Sequence, residues 1–129
     1  MNFICKQLTL VDDGDFGCSI EFSDSTDEEY QENQSLTELM NAKDKYFLVE
    51  RTYPEDFDED DFYYIETTES DIELSYKDKL HFDLNQERVK IRMAHDVITI
   101  GLNLKQEEYS GLKRIINKKF KDFIVLLEG

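Results

Sequence analysis

The chain has no tryptophan, one proline, five glycines and two cysteines among 129 residues. So little proline and glycine excludes a low-complexity or linker-like chain. Two cysteines exclude a densely disulfide-stapled scaffold; Cys5 and Cys18 fit a reducing compartment, although their number alone leaves a pairing open. No apolar run reaches the roughly 18 residues that a membrane helix needs. The opening residues, MNFICKQLTLVDDGD, lack a basic stretch, an unbroken apolar run and a small-residue cleavage site. The expectation is therefore a cytoplasmic protein with no membrane partner. No internal repeat is visible at periods of roughly 20–50 residues.

Positive charge is the other scarcity. Lysine and arginine number 15 against 30 aspartates and glutamates, a net charge of -15. The imbalance is concentrated: residues 12–83 hold 24 acids and 5 bases, and the remainder holds 6 acids and 10 bases. Solubility of a small domain needs a net charge of only about 2–8. A larger excess opposes compaction through self-repulsion, so clustered acids point to a basic partner. A hydrophobic content of 40% is enough for one core, and the length fits a single domain over residues 1–129.

Hydrophobic patterning predicts a mostly β, α+β fold: an antiparallel meander sheet with an N-terminal hairpin and one main amphipathic helix near the C-terminus packed on it. Asp12-Asp13-Gly14 separates FICKQLTL from FGCSIEF and reads as a hairpin loop. That loop pairs Leu10 with Phe16, Leu8 with Cys18 and Ile4 with Phe22, and puts Cys5 on the face away from Cys18, against a disulfide. An acidic loop at about 23–34 follows, then a short helical stretch, SLTELMNA. KYFLVERT is a strand with Phe47 and Val49 on one side. A second acidic loop at about 53–61 leads to the strand FYYIETT. From Asp71 the sequence reads as a meander of DIELSY, KLHFDLN, RVKIRMA and VITIGLNL, with period two clearest at Leu80/Phe82/Leu84 and Val89/Ile91/Met93. Period two gives way to helical spacing at Tyr109, Leu112, Ile116 and Phe120, with Asn103 as N-cap and Gly111 inside a helix that needs close packing there. DFIVLLEG reads as a buried strand. About eight or nine strands result.

Catalysis finds no residues to carry it. No Ser/His/Asp, Cys/His or zinc-like arrangement is present; His81 falls in a strand and His95 at a turn, without nearby cysteine. No carboxylate pair is singled out for acid–base work, which needs an enclosed site. Asp56-x-Asp58-x-Asp60 has the opening spacing of a calcium loop, yet the glycine and glutamate positions hold Asp61 and Thr67. The expectation is no enzyme, no cofactor and no metal. Of the basic residues Lys105, Lys113, Arg114, Lys118, Lys119 and Lys121 near the C-terminus, Lys118 and Lys119 are read as offsetting the helix dipole and some of the bases as facing the acidic loops, not as a nucleic-acid surface.

Recognition is what the residues favour. Between Tyr53 and Tyr64, six acids are interleaved with five aromatics. Aromatics make rigid hot spots, and carboxylates make charge-assisted hydrogen bonds to arginine and lysine. The expected partner-binding residues are Tyr53, Asp56, Phe57, Asp58, Glu59, Asp60 and Asp61, with Asp27, Glu28, Glu29 and Tyr30 as a second contact.

The stretch from Tyr46 to Phe120 resembles a family of immunity proteins from bacterial polymorphic toxin systems, the tenth numbered immunity family. The similarity lies in YFLVERT leading into the acidic DFDEDDF, then YYIE, alternating strands and the helix LKQEEYSGLKRIINKKF. The chain departs from that pattern at Asp60, where a glutamine is expected, and across residues 24–34. The resemblance implies a mostly β protein that neutralises a toxin encoded beside it and carries no catalytic residues. The expected partner is a cognate protein toxin with a basic surface, plausible for a nuclease. The alternative is an acidic scaffold or regulatory subunit of another complex. Edge strands of an open sheet leave room for a homodimer.

Overall fold

In the computed structural model, residues 2–14, 17–24, 45–53, 62–68, 71–74, 79–93, 96–121 and 123–128 are described. The fold is mostly β with one helix near the C-terminus among these residues, and its strands form two five-stranded sheets. In chain order they are β1 (Asn2–Ile4), β2 (Gln7–Asp13), β3 (Gly17–Ser23), β4 (Tyr46–Thr52), β5 (Phe62–Thr67), β6 (Asp71–Leu74), β7 (Leu80–Leu84), β8 (Arg88–Arg92), β9 (Val97–Gly101), the helix α1 (Gln106–Lys119) and β10 (Ile124–Glu128).

Sheet I is an antiparallel meander in the order β2-β3-β4-β5-β6. Period two decides its faces. Ile20 and Phe22 of β3, Phe47 and Val49 of β4, and Ile65 of β5 are all buried, and they occupy matching positions across the ladder. Sheet II has the order β1-β9-β8-β7-β10, with β7, β8 and β9 antiparallel and both outer strands parallel to their neighbours. Its inward side chains are Phe3, Leu80, Phe82, Leu84, Val89, Ile91, Ile98, Ile100 and Ile124. The two inner faces meet in one core, where the Phe47 and Phe82 rings lie 6.3 Å apart, edge on. Burying each such side chain contributes roughly 1.5–3 kcal/mol.

The chain turns the corner between sheets at Cys5-Lys6. The Cys5 amide donates to Gly101 of sheet II at 2.8 Å, and the next amide, of Lys6, donates to Ser23 of sheet I at 2.7 Å. The helix connects β9 to β10, burying Tyr109, Leu112, Ile115 and Ile116. Its start is fixed two residues later than the predicted cap at Asn103: Lys105 occupies the N-cap, and its amide donates to the Glu108 carboxylate at 3.0 Å.

Five further expectations are corrected. The hairpin register differs by four residues, with Leu8 opposite Phe22, Leu10 opposite Ile20 and Asp12 opposite Cys18. An even shift keeps every side chain on its face, so periodicity alone did not distinguish the two registers. Ile4 is 69% exposed and belongs to β1 of sheet II, while Phe3 and Cys5 are buried. The run beginning at Asp71 is not one meander: β6 ends sheet I, and β7 starts a separate sheet. β10 is an edge strand beside β7, buried at Ile124 but with Leu127 48% exposed. The expectation of about eight or nine strands on one sheet becomes ten on two among the described residues.

Two glycines have opposite roles. Gly17 has φ 150°, and a Cβ there would collide with the Arg51 carbonyl oxygen across the ladder. At Gly111 the nearest atom to an added Cβ is Leu10 Cδ1 at 3.4 Å, ordinary contact with the movable end of a side chain. The close packing expected at Gly111 therefore leaves room for a methyl. Gly17→Ala is expected to destabilise by at least about 2 kcal/mol, through backbone strain and overpacking. Gly111→Ala is expected to stabilise by about 0.5–1 kcal/mol through helix propensity. Urea unfolding of both variants checks the pair.

Candidate partner interface

The charge split seen along the sequence maps onto the two sheets. The strands of sheet I carry Asp12, Asp13, Glu21, Glu50, Glu66, Asp71 and Glu73, with Arg51 as their one arginine or lysine. Those of sheet II carry Arg88, Lys90 and Arg92 against Asp83 and Glu128. In sheet I the positions opposite the buried set include Asp13, Glu21, Glu50 and Glu66, accompanied by Tyr46, Leu48 and Tyr64 and by no lysine or arginine. The outer face of sheet II shows the exposed Arg88, Lys90 and Arg92 of β8 beside the exposed His81 of β7.

The acidic segment 53–61 leaves sheet I where β4 ends at Thr52 and β5 begins at Phe62, next to the β2–β3 turn. The other acidic stretch leaves from Ser23 and returns at Tyr46, at the opposite end of the same strands. Seven residues of β4 separate the two ends, a span of about 20 Å. The expected contacts Asp27, Glu28, Glu29, Tyr30, Asp56, Phe57, Asp58, Glu59, Asp60 and Asp61 lie outside the described residues, as do His95 and the stretch SLTELMNA. What the described strands establish is that the two acidic segments are rooted at opposite ends of one sheet.

Tyr53 is described. It is half-buried, with the Arg51 guanidinium 5.0 Å from its ring centroid. Arg51 also donates from Nη1 to the Lys119 carbonyl at 2.6 Å, satisfying one of the carbonyls that a helix C-terminus leaves without an intrahelical donor. The cation also complements the negative end of the helix dipole. Two strands away, on β2, Asp12 pairs with Lys119 Nζ at 3.9 Å. Tyr63 turns inward, 3% exposed, and stacks on Phe123 with centroids 4.0 Å apart. The root of the acidic segment is thus bolted to the helix terminus by Arg51 and to the core by Tyr63. The sequence reading assigned no role to Arg51 and counted Tyr63 among the five aromatics of the recognition stretch, whereas it faces the core. Their partners are distant along the chain, and no local pattern announces them.

Beside this root lies a depression of about 270 Å³ lined by Asp13, Ser19, Glu50, Arg51 and Thr52 among others. Two carboxylates and two hydroxyls share this lining with the Arg51 guanidinium and the Cys18 thiol. Burial pushes the Cys18 thiol up, with Asp12 adding to it, against the opposing pull of Arg51, Tyr53 and Lys119. Burial likewise raises Cys5. Both are free, buried cysteines, and both remain protonated at neutral pH. Among the described residues, no three or more His, Cys, Asp or Glu are grouped to hold a metal, and no helix is long and apolar enough to cross a membrane.

No family model, no curated protein and no solved structure matches the chain.

Two outcomes are expected. Arg51→Ala should destabilise by about 2 kcal/mol in urea unfolding, since a charge-assisted hydrogen bond contributes roughly 1.5–3 kcal/mol and a cation–π contact about 0.5–1. The raised thiol pKa values contribute stability that is fully present below the unfolded thiol pKa of about 8.5 and is lost as pH rises through the folded values. Unfolding free energy should therefore fall above about pH 8.5, and less steeply in a Cys5→Ala/Cys18→Ala variant.

Proposed function

We propose that this chain is a non-catalytic immunity protein of the bacterial cytoplasm. It binds a cognate protein toxin with a basic, nuclease-type cleft and occludes it with an acidic and aromatic surface. The observation that carries the reading is the segregation of charge. The acids accumulate on the sheet that roots the segment Tyr53–Asp61, and the sheet on the other side of the core has a basic outer face. Acids serving solubility alone have no reason to avoid one side of a molecule. The resemblance of residues 46–120 to the tenth numbered immunity family supports the same reading.

In this mechanism Asp56, Asp58, Glu59, Asp60 and Asp61 pair with arginine and lysine side chains of the cleft, and Tyr53 and Phe57 supply apolar contact. Asp27, Glu28, Glu29 and Tyr30 form a second contact. Complementary charge accelerates encounter toward about 10⁸ M⁻¹s⁻¹ at low salt. Arg51 and Tyr63 hold the segment's root in place, which lowers the ordering cost of binding.

Co-expression with the toxin encoded beside the gene should restore growth, and the pair should co-purify without nucleic acid. Changing Asp58, Glu59, Asp60 and Asp61 to Asn or Gln should slow association by roughly tenfold and flatten its dependence on salt. Growth rescue and association rates unchanged by that variant would place the interface elsewhere. Absence of any neighbouring toxin, with a stable complex to a metabolic or regulatory protein instead, would favour the scaffold alternative.

A further inference from the structure

We draw no further inference here: the strongest candidate, the outward carboxylates Glu21, Glu50 and Glu66 beside Leu48 on the outer face of sheet I, is a cluster of acidic residues, and no second feature among the described residues points to a ligand there.

Discussion

The fold depends on one constraint: both sheets spend their inner faces on a single apolar layer. Phe47 from sheet I and Phe82 from sheet II meet there, both fully buried. Period-two side chains leave only the outward positions for everything else. Charge on the outward positions of β2 to β5 therefore appears on one side of the sandwich. Charge placed in residues 80–128 goes to the other side or to the helix. The same geometry that makes the core makes the molecule electrostatically two-sided.

This two-sidedness is maintained against a real cost. Like charges on one sheet repel one another and oppose compaction. The basic residue that does enter sheet I, Arg51, is committed inward. It donates to the carbonyl of Lys119 and lies over Tyr53. A cation used as a bolt for a helix terminus cannot also neutralise the outer surface. Lys119 is partly committed in the same way, to Asp12. The result is a rigid base beneath the acidic segment, which a loop needs if it is to meet a partner without a large ordering penalty.

Much of this was legible in the residues. Leu80/Phe82/Leu84 and Val89/Ile91 announced inward faces because alternation is a direct image of a half-buried strand. Tyr109, Leu112 and Ile116 announced the helix for the corresponding reason at period 3.6. What failed was pairing, not element type. The hairpin register slid by four because an even slip preserves the face. The boundary between β6 and β7, where the chain changes sheets, leaves no mark in a period-two pattern. The apolar run Phe123–Leu127 suggested a strand buried throughout, yet β10 lies at a sheet edge and its last two residues are exposed. The charge clustering was visible as a count along the chain; its separation onto opposite faces of one core was not. Arg51 and Tyr63, which anchor the root, act through residues 119–123, contacts for which sequence has no local signal.

The account's central claim is that the acidic end of sheet I, around the β4–β5 connection, is the surface that meets a cationic protein. Amide hydrogen exchange of the chain with and without the proposed toxin partner tests this most directly. Slowed exchange concentrated in residues 53–61 and the adjoining ends of β4 and β5, with β8 unchanged, is the result the account predicts. Protection centred on β8 and the outer face of sheet II, with residues 53–61 exchanging as in the free chain, would contradict it.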